Sequence, residues 1–307
     1  MTMGFLNCSK LATALALATS VVSWTSAWAE EPVPMVPDAT SGWTLSFTTY
    51  SWLPWMSGQT GVRGRTFDVQ ATPVDVIKAL DWSSIPVWMS YAELRNGRFA
   101  LFNDIVYSKL AGSAGFERSR QGPLLAGAVR ADVDADYEQT TLEFGAAYEV
   151  WSEGAAKSAG HTAVDILGGV RYWRQELDVS ADISASATLQ GPLGIVDLTR
   201  SGNRIIAKSG TVDWVDPFVG ARLRYDIDAA QSVAVRGDIG GFGVGSDFSW
   251  QAIATYNWQM CVTDRYVLDG YVGYRALSVD YSQGSGNKRY EFDAVQHGPV
   301  LGATLRF

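Results

Sequence analysis

Histidine and cysteine are nearly absent from this sequence: each occurs only twice in 307 residues. His161 and His297 stand far apart in the chain, which leaves little material for a histidine-based metal centre or catalytic triad. Cys8 falls inside an N-terminal leader, so Cys261 would be left alone and no intramolecular disulfide is expected. Beyond that leader no stretch approaches the roughly 18 consecutive apolar residues of a membrane-spanning helix. Positive charge is short too. The formal charge is −8, which disfavours nucleic acid as a partner and supplies no basic membrane-binding patch.

The leader carries Lys10, the apolar run "LATALALATSVV" and the small-residue site Ala27-Trp28-Ala29 just before Glu30. That is the pattern of a secretory signal peptide, here 1–29, and export follows from it. Aromatic residues and glycine are abundant in what remains: the whole chain has 12 Trp, 13 Tyr, 12 Phe and 31 Gly.

Period-two alternation recurs along the chain. It is present in "WTLSFTTYSW", in "PVWMSYAELR" and "RFALFNDIVYSKL" around Asn96-Gly97, and in "TTLEFGAAYEVW" and "TAVDILGGVRYW" around the turn "SEGAAKSAGH". It continues to the terminus, where Leu301, Ala303, Leu305 and Phe307 share one parity. Alternation of this kind means strands with one apolar and one polar face, and Asn-Gly between two of them is a hairpin signal. The segments number about ten, each near the roughly 9–11 residues that a tilted membrane strand needs.

Connection lengths alternate as well. Short turns fall at Asn96-Gly97, 152–161, 227–231 and 261–264. Longer or glycine-rich connections fall at 58–85, 113–127, 180–210 and 283–288, with a compact "GGFGVG" at 240–245. Short turns at one end and long loops at the other are the asymmetry of outer-membrane barrels. The fold expected is therefore all-β: a transmembrane antiparallel up-and-down β-barrel of about ten strands over 43–307, preceded by a short periplasmic segment at 30–42. A charged stretch such as 126–138 or 180–200 would widen the lumen if it added a strand.

Parity sorts the side chains. One face reads Leu142, Phe144, Ala146, Tyr148, then Val219, Ala221, Leu223, Tyr225, with aromatics toward the strand ends, as on a lipid-facing surface. The other face carries Glu93, Asp104, Glu143, Asp165, Arg171, Asp216, Arg222, Arg224, Arg236, Asp238, Asp269, Arg275 and Arg306. Nine of these form the expected lumenal charge network: Asp165, Arg171, Asp216, Arg222, Arg224, Arg236, Asp238, Asp269 and Arg275. The sequence suggests that Asp165 and Arg171 from one strand, Arg222 and Arg224 from another, Arg236 with Asp238, and Asp269 with Arg275 interlock, either as a plug or as a charged constriction.

Three motifs invite chemistry and fall short of it. Asp132, Asp134, Asp136 and Glu143 match four positions of a calcium-loop pattern, but Tyr137 stands where that loop needs glycine. "GGFGVG" lacks the lysine of a phosphate loop and reads as a tight turn. His297 approaches Asp280 or Asp293 at the outer rim, yet its parity points to lipid. The stretch 72–82 has helical spacing at Val74, Ile77 and Leu80, which predicts a short helix near the mouth.

"DILGGVRYW", "RGDIGGFGVGSDFSWQ" and "GPVLGATLRF" resemble segments of proteobacterial outer-membrane β-barrel proteins, small porin-like or OmpA/OmpX-like barrels. The resemblance implies a Gram-negative outer-membrane location, contact with outer-membrane lipid, and Phe307 as the terminal aromatic read by the barrel-assembly machinery. It brings no catalytic residue, metal or cofactor. The function expected is a narrow porin-like conduit for small polar solutes or a closed structural barrel. The alternatives are a barrel hydrolase acting on lipid A or peptide, and a surface adhesion protein acting through its outer loops.

Overall fold

The alternation becomes one antiparallel sheet that closes on itself. The computed structural model describes residues 42–62, 65–121, 125–156, 158–191, 194–198, 204–285 and 290–307. Its elements are β1 (Trp43–Trp52), β2 (Trp55–Val62), β3 (Arg65–Ala71), α1 (Pro73–Ala79), β4 (Val87–Asn96), β5 (Phe99–Gln121) and β6 (Leu125–Glu153). They continue with β7 (Thr162–Gly191), β8 (Gly194–Leu198), β9 (Arg204–Asp226), β10 (Gln231–Gly240), β11 (Phe248–Val262), β12 (Val267–Gln283) and β13 (Tyr290–Arg306).

Ten strands make the wall, in the order β1-β4-β5-β6-β7-β9-β10-β11-β12-β13, and β13 returns to β1. At that seam Phe47 lies opposite Leu305 and Tyr50 opposite Gly302. The Phe307 amide donates to the Leu45 carbonyl at 2.9 Å, so the aromatic terminus is tied to the first strand. A closed wall leaves no unpaired edge at this level. The expected ten-stranded antiparallel barrel is what forms.

The outer connections differ from expectation. Much of 113–127 and 180–210 is strand: β5, β6, β7 and β9 run far past the wall, with Asp132, Ser180 and Asp136 still in ladder register. Stretches such as "ADVDAD" and "SADISASATL" keep period two with small residues and contain no Gly, Pro or Asn, so the hairpins simply lengthen. They add no wall strand. β8 pairs only with the outer end of β7, and the β2–β3 hairpin pairs with the outer half of β13. The calcium-loop pattern is thus a strand. Cys261 is disulfide-bonded in the full chain, whereas the expectation that it stands alone concerns the chain after the leader has gone.

Turns at the opposite end are short, as the spacing predicts. Gly97 takes φ 55°, the left-handed conformation that a two-residue hairpin needs. At the long-loop end "GGFGVG" is a tight turn held by Gly241 at φ 86°.

Where β4 ends at Val87, the wall beside β5 is completed by the segment around α1. Thr72 and Asp75 form a reciprocal cap: the Asp75 amide donates to Thr72 Oγ1 (3.3 Å) and the Thr72 amide to Asp75 Oδ2 (2.9 Å). Beyond the helix, the Asp81 amide donates to the Lys109 carbonyl and Lys109 Nζ reaches the Asp81 carboxylate at 2.9 Å. Hydrogen bonds from Ser83 and Lys109 hold that carboxyl well below the usual carboxylate range. Replacing Thr72 with alanine should cost the helix about 1 kcal/mol. Hydrogen exchange at 73–79 should rise accordingly, with the melting of the barrel unchanged.

The outer surface carries a continuous apolar belt. Leu142, Phe144, Tyr148, Ile166, Val170, Val219, Leu223, Val272 and Leu301 are all exposed on the wall. Above the belt the outward positions turn polar: Lys109 pairs in register with Glu138, and Arg174 with Asp213. Among the described residues no helix is long and apolar enough to cross a membrane, which says nothing against crossing by strands.

Candidate functional site

Inward parity places the charged side chains in a confined space, and the register decides which of them meet. At mid-height, Arg171 donates from Nε to Glu143 (2.8 Å) and from Nη2 to Asp238 (2.7 Å). Arg236 bridges the same two carboxylates at 2.9 and 2.8 Å. Gln251 donates to both at 3.2 Å. Arg275 adds a third cation, bonded to Asp104 at 2.8 Å and to the Tyr50 hydroxyl at 2.8 Å. The guanidinium groups also lie over rings: Arg171 and Arg236 over Phe218, Arg275 over Trp52. Glu143 and Arg171 are 0% exposed. Water does not reach them.

A second cluster sits nearer the short-turn end. Asp165, also 0% exposed, receives Arg222 (2.9 Å), Arg224 (3.0 Å) and Arg95 (3.2 Å). Arg222 continues to Glu93 at 2.6 Å, and Arg224 to Glu149 at 2.8 Å. At the rim Arg306 donates to Asp269 at 2.9 Å. Paired, multiply hydrogen-bonded charges of this kind are tolerable in a low-dielectric interior where lone ones are not.

All nine predicted network residues therefore point inward, but some partners change. Asp165 binds Arg222 and Arg224 of the neighbouring strand, whereas Asp269 binds Arg306 rather than Arg275. Asp216 stands outside the ion pairs. It accepts from the Ser246 amide (2.6 Å), the Ser246 hydroxyl (2.8 Å) and the Trp214 indole (3.3 Å), and so anchors the 241–247 turn to β9. Arg95 and Glu149 were missed as members; they share the parity of Glu93 and Glu143, the signal that could have found them.

Above the charges the interior is mainly aromatic and aliphatic, with Gln139, Gln175 and Gln296 buried among them. Trp173 stacks on Trp214 (5.6 Å) and Trp214 on Tyr281 (3.9 Å), with Leu277, Val279, Phe292 and Val300 filling the space around them. Below the charges a cavity of about 370 Å³ reaches the exposed Ala229 and Ala230 of the turn between β9 and β10. From one end to the other the interior runs from a hollow, through an ionic layer, to an aromatic one.

The two histidines stand in different settings. His297 faces outward, its Nδ1 2.6 Å from the Tyr274 hydroxyl and its ring stacked on Trp55, and not beside Asp280 or Asp293. His161 pairs with Asp226 at 2.9 Å by the cavity mouth. Among the described residues no group of three or more His, Cys, Asp or Glu side chains is placed to hold a metal.

No protein-family model matches the sequence, and neither does any curated protein. Solved structures with a similar trace include a Pseudomonas aeruginosa FadL homologue (8% identity, 86% of this chain and 90% of that one, TM-score 0.27). The CymD monoaromatic hydrocarbon channel matches at 11% identity over 86% and 88% of the two chains, with a TM-score of 0.24. Pseudomonas aeruginosa OpdK with vanillate matches at 9% over 86% and 98%, with a TM-score of 0.22. Likeness at this level says nothing of what the present chain binds or moves.

Proposed function

We propose that the protein is an outer-membrane barrel whose lumen is closed in its resting state, a structural element of the envelope rather than a standing pore. The apolar belt supports the membrane setting. On β6 it runs from Leu142 to Val150 before polarity returns, close to the roughly 9–11 residues of a tilted spanning strand. Ten strands enclose little more than the eight-stranded barrels whose side chains fill the interior.

The observation that carries the closed reading is the complete burial of Glu143 and Arg171 across the middle of the lumen. An ion path lined by charges would leave those charges wet. The test is single-channel recording of the folded chain in a planar bilayer, with folding checked by gel mobility before and after boiling. A folded, silent barrel is expected; discrete salt-dependent steps would sink the closed reading and favour a narrow conduit. One observation keeps that conduit as the second reading: the cavity already opens the lumen from the turn end up to Arg275 and Gln251. The hydrolase alternative gains nothing from a His297 turned outward and bonded to Tyr274.

A further inference from the structure

The cavity below the plug has a composition of its own. Its inner end is formed by Arg222, Arg236, Arg275, Glu93 and Asp104, and every one of these charges is already in an ion pair. Arg222 to Glu93 is 2.6 Å and Arg275 to Asp104 is 2.8 Å. A charged ligand entering here would have to break a pair that is largely out of water, and so faces a desolvation cost without a free counter-charge to offset it.

Between that end and the mouth the walls carry uncharged polar side chains and charges that are themselves held: Arg224 by Glu149 and Asp165, Asp269 by Arg306, Asp226 by His161, and Asp228 by the Ala230 amide and Gln231. Thr48 and Thr304, whose hydroxyls share a bond of 2.8 Å, face Ser232, Thr255 and Asn257 across the hollow. Each hydroxyl retains a lone pair, and the Asn257 carboxamide donates only long bonds of 3.4 and 3.5 Å to its own wall. Gln251, 3% exposed at the inner end, has a side-chain oxygen with no hydrogen-bond partner. That orphan acceptor is the second observation, independent of the wall composition, and it asks for a donor from inside the hollow. Tyr271 and Tyr50 add ring surface beside it.

We propose that this cavity is a binding site for a neutral, polyhydroxylated solute of one or two sugar rings, entered from the short-turn end. Hydroxyl groups donate and accept at once, which suits a wall of hydroxyls and amides, and the C–H faces of a sugar ring suit tyrosine. A volume of about 370 Å³ lies within the roughly 300–1,000 Å³ usual for small-molecule sites.

The test is calorimetric titration of the detergent-folded chain with maltose, beside glutamate and choline chloride as smaller charged probes. Saturable heat with maltose and none with either ion is expected. Asn257→Leu and the paired change Thr48→Val/Thr304→Val should each weaken maltose binding about tenfold, the factor that a hydrogen bond or two is worth. No saturable heat with maltose, or equal heat with an ion, overturns the proposal. So does an affinity left unchanged by both variants in folded protein. The wild-type probe comparison decides the matter even if a variant does not fold. Ion conduction plays no part in the titration, so its failure leaves the closed-barrel reading standing, and a conducting barrel that binds maltose leaves this one standing.

Discussion

Replacing Arg171 with methionine should destabilise the folded barrel by about 3 kcal/mol, the lower end of what breaking a buried ion pair costs. The substitution keeps an unbranched side chain and removes the guanidinium, and with it the contact over Phe218. Glu143 and Asp238 would then share Arg236, with Arg275 3.8 Å from Glu143 as remote help. Three carboxylates, counting Asp104, would face two cations in a space without water. The remaining partners set the estimate at the lower end of the range, because neither carboxylate is left wholly alone. Urea unfolding in lipid vesicles measures the change. Two comparisons make it specific. Arg174→Met removes an ion pair of similar length to Glu176, but one whose side chains are 47% and 32% exposed, and should cost far less. Arg171→Met with Glu143→Leu should recover much of the loss, since it removes both members and leaves Arg236 to Asp238. If Arg171→Met and Arg174→Met unfold alike, the lumenal network contributes no more than surface charge.

The wall and its two faces were legible because period two is a local property. Leu142, Glu143 and Phe144 announce a strand and its sidedness without reference to any other part of the chain. Partner choice inside the lumen was not legible, for a physical reason. Asp269 and Arg275 share a strand and a face, yet six residues along a strand is about 20 Å, beyond the reach of any pair of side chains. Asp165 meets Arg222, directly opposite it on β9, and that pairing depends on register between strands. Register follows from closure and tilt of the whole barrel. Arg95 shows the opposite lapse: it stands two residues from Glu93 and the parity rule alone would have placed it inside. The outer extensions were misread because small residues alternate without the apolar signal that marks a strand. Turn chemistry was the better guide there, since "SADISASATL" holds no Gly, Pro or Asn to turn on.

Opening the barrel should take two layers at once. Removing Glu143 and Arg171 together, both to alanine, deletes a balanced pair and leaves Arg236 with Asp238 and Arg275 with Asp104 intact. The lumen would still be sealed above by Trp173, Trp214 and Tyr281. Removing Trp173 and Trp214 alone, at about 3–5 kcal/mol for each Trp→Ala, opens the aromatic layer onto a charge layer that remains dry. Each double variant is therefore expected to be as silent as the parent in a planar bilayer. The quadruple variant joins the cavity to the outer mouth and should give discrete steps that scale with salt. None of the four substitutions alters a backbone hydrogen bond, so the ladder that closes β1 on β13 is retained, and the gel-mobility check reports whether it is. Two results contradict the layered plug. Conduction by the charge-layer variant alone would make the aromatic layer a bystander. Silence from a folded quadruple variant would mean that something other than these two layers closes the lumen.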